Sequence, residues 1–313
     1  MRTCGLWLVV AAVIASGCQY LEKGGSEPAK SFRYSGSGPI HIICTTGMVA
    51  DLVRNVGGER VTITTLMGAG VDPHLYKPSP GDANKLNAAD AIFYSGHHLE
   101  GKMSDLFVRL ARRKPTTPVT EAIPEQEILD DEAGAFDPHL WFDVSLWSQA
   151  AGAVRESLSE FDPEHAGEYA ARCDAFQKKL AELHTFAKDE LAKVPAERRV
   201  LVTAHDAFRY FGRAYDLEVR GIQGISTDSE AGVKQINELV AFLAEKKIKA
   251  VFVETSVSDK NVNSLVEGCS ARGWKLAIGG ELFSDAMGAE GTPEGTYEGM
   301  IRHNVETIVR ALQ

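Results

Sequence analysis

The stretch HAGEYAARCDAFQKKLAELHTFAKDELAKV, residues 165–194, decides how the whole chain is read. Tyr169, Cys173, Phe176, Leu180, Leu183, Ala187, Leu191 and Val194 recur at steps of three or four, the spacing of one helical face. No glycine or proline interrupts the run after Gly167, while Pro163 precedes it and Pro195 closes it. The pattern predicts one continuous linking helix over 164–194. At 1.5 Å per residue, about thirty residues span roughly 45 Å, more than a small domain needs for itself. Such a helix reads as a strut between two lobes.

On its N-terminal side, over 39–163, β-branched runs alternate with helix-length intervals: IHIICTT (40–46), VTITTLM (61–67), AIFYSG (91–96) and TPVT (117–120). After the first run, GMVADLVRNVGG sets Met48, Leu52, Val53 and Val56 on one helical face. Residues 195–313 repeat the scheme with VLVTAH (200–205), EVRGIQGI (218–225), AVFVET (250–255) and KLAIGG (275–280). Strands alternating with helices imply parallel sheets, and two such series imply two lobes. The expected class is α/β, with helices flanking mostly parallel strands in each lobe. The glycines of GIQGIS do not make a GxGxxG nucleotide fingerprint.

Bulk properties narrow the function. The 313 residues are 44% apolar and 24% charged, enough for a sizeable core. A formal net charge of −10 argues against a nucleic-acid surface, which needs a basic stripe. At the start, Arg2 is followed by the apolar GLWLVVAAVIA (5–15), too short for a membrane span of ~20 residues but right for an export signal. It ends in ASGC (15–18), which looks like a bacterial lipobox: residues 1–17 form the leader and Cys18 is the lipidated first residue of the mature chain. Ordinary secretory cleavage after small residues is the competing reading. Residues 18–38, rich in Gly, Ser and charge, suit a flexible tether. The chain is thus expected to be exported and held at the membrane, facing the periplasm or cell exterior. Cys4 lies in the leader, and Cys44, Cys173 and Cys269 fall in apolar patterns without any CxxC, so they read as core thiols.

Chemistry enters with a repeated tetrapeptide, Asp-Pro-His-Leu, in VDPHLYKPSPGD (71–82) and FDPHLWFDV (136–144). Proline disfavours the α region for the residue before it, so each histidine sits on a bend. His74 follows the strand 61–67, His139 comes late in the first series, and His205 closes VLVTAH. Asp285 lies in the glycine-bounded segment GGELFSDAMG (279–288), after the last strand. Ligands of parallel α/β sheets bind beyond the carboxyl ends of the strands, so facing lobes can bring these residues together. Three imidazoles and one carboxylate suit Zn²⁺, and can hold Mn²⁺ with looser coordination. Taken singly, each has an ordinary reading: a solvated loop histidine, a turn aspartate. Asp206 reads as the N-cap of the helix that follows it.

VDPHLYKPSPGD, FDPHLWFDV, TAHDAFRYFGRAYDLEV, GISTDSEA and GGELFSDAMG with GTYEGM together resemble the TroA-like metal-binding proteins, the zinc/manganese substrate-binding components of bacterial ABC transporters (solute-binding protein family 9). The resemblance runs from about Ile40 to the end of the chain. It implies two α/β lobes, each with a mostly parallel four-stranded sheet, joined by one long rigid backbone helix, with the metal in the interlobe cleft. It implies His74, His139, His205 and Asp285 as ligands of one Zn²⁺ or Mn²⁺ per chain, a monomer, and a membrane permease as partner. It implies too that the ion is cargo and that the chain is not an enzyme.

Two departures matter. Zinc-dedicated relatives often carry a histidine-rich acidic insert, whereas EAIPEQEILDDEAGAFDPH has no histidine before His139. Manganese-dedicated relatives often have glutamate where this chain has His205. The resemblance therefore leaves both metals open. A zinc hydrolase and a surface adhesin are the alternative functions, and neither an HExxH helix nor an HxHxDH run supports the first. GHHLEGK (96–102) offers His97 and His98 as capture ligands or as a solvated helix start. Glu254 ends its strand as an outer support of a ligand or as a partner of a neighbouring loop.

Overall fold

The computed structural model describes residues 32–130 and 134–313. The leader 1–17, Cys18 and most of the tether lie outside the described residues. In the remainder of the tether, Tyr34 N donates to Phe161 O at 2.8 Å, and the two rings pack with centroids 5.7 Å apart.

The first half runs β1 (Ile40–Cys44), α1 (Gly47–Gly57), β2 (Val61–Thr65), α2 (Pro80–Ala88), β3 (Ala91–Tyr94), α3 (Ser104–Leu110), β4 (Thr116–Pro118) and α4 (Val144–Phe161). Its four strands pair in parallel in the order β2-β1-β3-β4. The apolar run of β1 follows from this central position. Ile40, Ile42 and Cys44 enter the core on one face, while Ile43 enters a second cluster on the other. A strand covered on both faces has no use for polar alternation. Helix starts are set locally: the Thr46 side chain accepts from Val49 N, and Ser79 and Asp82 form a capping box with Pro80 in the first turn.

The connecting helix α5 spans Ala166–Leu191, 26 residues, flanked by a 3-10 turn at Pro163–His165 and closed by a turn in which Val194 N donates to Leu191 O. Its buried residues are the stripe that the sequence spacing picks out, Tyr169 through Leu191. It packs on α1 and α4, and on the helices α6 (Arg209–Tyr215) and α9 (Tyr297–Leu312) of the second half. One apolar core runs without a break through residues of both halves, from Ile40 to Leu312.

The second half adds β5 (Val200–His205), β6 (Glu218–Gln223), α7 (Val233–Lys246), β7 (Ala250–Glu254), α8 (Lys260–Ala271) and β8 (Ala277–Leu282). Its four strands are held as two parallel pairs, β5-β6 and β7-β8, with β5 lying beside β7. Where β5 and β7 end, a side chain bridges them: His205 N donates to Glu254 Oε1 at 2.9 Å. All eight strand runs read from the sequence appear as strands, VLVTAH (200–205) with unchanged bounds and the other seven trimmed or shifted by one or two residues.

Polar ties across the halves fix the ground on which the site is built. Tyr297 Oη donates to Trp141 O at 2.6 Å, Trp141 Nε1 to Ser284 O at 3.1 Å, and Tyr210 Oη to Asp137 O at 2.8 Å. Trp141, Tyr210 and Tyr297 are fully buried. Truncating aromatic side chains so placed costs about 3–5 kcal/mol. Cys44, Cys173 and Cys269 are buried free thiols, as their apolar settings predict. Among the described residues, no helix is long and apolar enough to cross a membrane.

Candidate metal centre

Four loops or strand ends deliver the four predicted side chains to one point. His74 stands in the turn after β2, and His139 immediately precedes the 3-10 turn Leu140–Phe142. His205 is the last residue of β5, and Asp285 follows β8. The segment carrying Asp285 is held by buried Asn304 of α9, whose Oδ1 accepts from Phe283 N at 3.0 Å and whose Nδ2 donates to Phe283 O at 2.7 Å. All four residues are buried, and one donor atom from each lies within 4.8 Å of every other.

The spacing is that of a coordination sphere. His74 Nε2 lies 3.4 Å from His139 Nε2 and 3.6 Å from Asp285 Oδ2. Asp285 Oδ1 lies 3.4 Å from His139 Nε2, and Oδ2 lies 3.2 Å from His205 Nε2. A tetrahedral ion with ligands about 2.0–2.1 Å away separates its donors by about 3.3–3.4 Å. His205 Nε2 and both Asp285 oxygens are buried without a hydrogen-bond partner. Leaving such groups unpaired is costly, and a bound cation would satisfy all three at once. The arrangement can therefore receive one divalent ion, zinc or manganese, in a sphere of three nitrogens and a carboxylate.

The residues behind the cluster differ among the histidines. His139 Nδ1 meets Asp137 Oδ1 at 2.8 Å, and His205 Nδ1 meets Glu254 Oε2 at 2.5 Å. These contacts leave each Nε2 facing the cluster and make the ring a stronger donor. Burial works against a charged His139, but the Asp137 and Asp285 carboxylates outweigh it and raise its pKa to about 9. For His205 burial is likewise overcome, by Asp285 and Glu254, and the shift is strongly upward. His74 has no such support, and burial lowers it to about 4 against the weaker pull of Asp285. Asp285 is held well below the usual carboxylate range: burial opposes the charge, and His205 and His139 prevail.

Glu254 holds His205, one of the four clustered side chains, through both its backbone N and its ring. Asp206 does not cap α6: the helix begins at Arg209 with Phe208 before it, and Asp206 instead lies 3.9 Å from Arg209 Nε. The intervening residues Ala207 and Phe208 are drawn into the core, which delays the helix by a turn. His97 and His98 stay outside the cluster but share a cavity with His74. Sequence reading missed Asp137 and Asn304. Asp137 was visible as the first letter of the repeated tetrapeptide, whereas Asn304 lies mid-helix with no local signal.

With this geometry in hand, comparison with known proteins is decisive. The family described as ZnuA, zinc-uptake complex component A, periplasmic, matches residues 42–311. The chain belongs to this family. Among curated ZnuA-family relatives, it is 48% identical to the manganese-binding lipoprotein MntA of Bacillus subtilis, over 88% of this chain and 90% of that protein. It is 49% identical to the zinc-binding protein TroA of Treponema pallidum, over 87% of this chain and 88% of that one. The solved structure of the periplasmic zinc-binding protein TroA from Treponema pallidum superposes with a TM-score of 0.86, covering 88% of this chain and 99% of that one. Two relatives of nearly equal identity are named for different metals, so names do not choose between zinc and manganese here.

Proposed function

We propose that this ZnuA-family chain binds one divalent transition-metal ion, zinc or manganese, outside the cytoplasmic membrane and delivers it to the permease of an ABC transporter. The ligands are His74, His139, His205 and Asp285, and the observation that carries the reading is their convergence with His205 Nε2 and both Asp285 oxygens unpartnered. Four protein donors fill a tetrahedral sphere, which favours holding an ion over catalysis, where a position stays open to water. The chain acts as a monomer with the ion between an N-terminal lobe (39–163) and a C-terminal lobe (195–313), joined by the linking helix of 164–194. Cys18 carries the lipid anchor, and the relatives named as lipoproteins support that reading. A Cys18→Ser chain expressed in a bacterium is then expected to lose lipid labelling. The main test is metal analysis of protein isolated from its native host without added metal. About one equivalent of zinc or manganese is expected, and calorimetry showing no affinity for either ion would overturn the proposal.

A further inference from the structure

Beside the buried centre lies a set of donors that it does not use. After β3 the chain turns through Gly96, His97 and His98, all with positive φ, at 103°, 47° and 63°. The turn closes on the buried carboxylate of Glu100, which accepts from Ser95 N at 2.7 Å and from Thr45 Oγ1 at 2.6 Å. That closure accounts for the backbone path. It does not account for the side chains, because glycine or asparagine takes up left-handed backbone at lower cost than histidine. Glycine is required at 96, where a Cβ would stand 3.1 Å from Glu121 Cγ and from Thr120 Oγ1. At 97 and 98 two consecutive imidazoles carry conformational strain, and strain of this kind clusters at functional sites.

What the strain secures is position. His97 and His98 are a wall common to two cavities. One, of about 640 Å³, is also lined by Glu121 and Glu125; the other, of about 180 Å³, is also lined by His74 and by Asp228, whose charge is paired with Lys102 of the same cavity at 2.9 Å. His98 is exposed with no hydrogen bond among the described residues; His97 makes one long hydrogen-bond contact, Nε2 to Thr120 O at 3.4 Å, and its ring packs edge-on against Phe136 with centroids 5.3 Å apart. Two imidazoles are therefore available to a ligand between solvent-facing carboxylates and His74, the outermost residue of the buried cluster. Carboxylates concentrate a hydrated cation, and imidazoles can replace some of its waters.

We propose that His97 and His98, with Glu121, form a second and weaker divalent-metal site, a vestibule from which the ion passes to His74. The loading role rests on reading the buried cluster as the metal site. These donors do not converge as the buried four do. An ion held there keeps water ligands, binds loosely and moves on.

The ring of Trp141 lies 5.2 Å from that of His139, so tryptophan fluorescence can report filling of the buried cluster. Calorimetric titration of the full chain with Zn²⁺ is expected to show one tight and one weak equivalent. The double variant His97→Asn, His98→Asn keeps residues that tolerate left-handed backbone, and should retain the tight equivalent while losing the weak one. Its stopped-flow association and dissociation rates should fall together, by the same factor, because a vestibule lies on the path both in and out and leaves the affinity of the buried cluster unchanged. A wild-type chain that takes up a single equivalent, a variant that keeps the weak one, or an unaltered association rate would each overturn the vestibule. The two readings separate in His139→Ala: survival of the weak equivalent there supports the vestibule as an independent site, and its loss overturns that. Absence of a tight equivalent in the wild type overturns the reading of the buried cluster instead.

Discussion

The segments 72–75 and 137–140 have the same four residues, Asp-Pro-His-Leu, in different surroundings. In both, the aspartate Oδ1 accepts from the backbone N of the histidine two residues on, at 2.8 Å for His74 and 3.0 Å for His139. This is a side-chain turn, with proline fixing the residue between. There the likeness ends. Asp137 also takes the ring Nδ1 of His139, while Asp72 turns its other oxygen to Thr227 Oγ1 of the second half, at 2.6 Å. Leu140 is fully buried and opens a 3-10 turn in the core; Leu75 is 45% exposed. The motif supplies a backbone bend, and the surroundings decide what the histidine becomes. His139 is a fixed, basic imidazole of the cluster, and His74 a neutral one at its rim.

The largest contrast is expected in stability without metal. Removing His139 takes one charged partner from each of the buried carboxylates of Asp137 and Asp285, and breaking a buried pair costs about 3–5 kcal/mol. His139→Ala should lower the unfolding free energy of the apo protein on that scale. His74, already neutral at pH 7, should cost less than about 1 kcal/mol when replaced by alanine, near the range of substitutions that break no buried partnership. Denaturant unfolding of both apo variants checks this, and equal losses would erase the distinction. The pH dependence has opposite signs. The folded pKa of His139 is raised to about 9, so its contribution is fully present below the unfolded value near ~6.5 and is lost as pH rises through 9. The folded pKa of His74 is lowered to about 4, so the cost of burying it appears as pH falls from ~6.5 toward 4.

Metal affinity should separate the two aspartates in the same direction. Asp137→Asn removes the carboxylate behind a ligand ring, and losses of about 10–100-fold are typical of such outer partners. Asp72→Asn touches no ring and leaves a turn that asparagine also makes, so it should stay below about tenfold. Competition titration with a chelator measures both. Proton release is linked to the same asymmetry. His139 and His205 are raised in the apo state and must lose protons to bind metal, so affinity should climb with pH from neutral toward 9. Calorimetry near pH 7.5 in buffers of different ionisation enthalpy should show protons leaving on binding. A heat independent of buffer would contradict the assignment.

How much of this was legible beforehand depends on the range of the interaction. The α5 stripe and the eight strand runs are local periodicities, and they appear where the spacing puts them. The four donors could be gathered because strand ends and a repeated bend mark them one by one. Long-range partners could not be gathered in this way. Glu254 could be read as an outer support, but not as the support of His205, 49 positions away; Asn304 and Tyr210 lie 21 and 73 positions from the Phe283 and Asp137 backbones that they hold. The delayed start of α6 was hidden for the same reason, since Ala207 and Phe208 are claimed by a core assembled from the whole chain.

Ion preference should be a moderate effect. Three imidazoles favour ions later in the divalent series, so Zn²⁺ should bind more tightly than Mn²⁺ at equal free concentration in vitro. Tighter Mn²⁺ binding would mean that cavity geometry overrides donor type. Because His74 is the clustered imidazole without a carboxylate behind its ring, His74→Glu is the replacement most open to an oxygen-preferring ion. It should narrow the gap between the two metals more than His139→Glu, which places a carboxylate against Asp137.

The smallest expected effect is a change of shape. Metal transfer needs a difference between loaded and empty protein, and many binding proteins supply it by hinge closure. Here α5 packs on helices of both halves, and the apolar core is continuous across them. A large bend would break intrahelical hydrogen bonds and expose the buried stripe, and no glycine or proline within Tyr169–Leu191 offers a kink site. Solution scattering of apo and zinc-loaded protein should therefore give nearly superimposable profiles. The response should be local, and unequal between the two Asp-Pro-His-Leu segments. Residues 137–142 are tied down by Tyr210, Tyr297 and the core around Trp141 whether or not metal is present. Residues 72–76 meet the segment 224–232 through the side-chain bond from Thr227 to Asp72, with Lys102 and Asp228 pairing nearby at 2.9 Å. Hydrogen exchange on adding zinc should slow most at 72–76 and 224–232 and least at 137–142. A marked drop in radius of gyration, or equal protection of both segments, would mean that the two bends are not divided into a fixed side and a closing side.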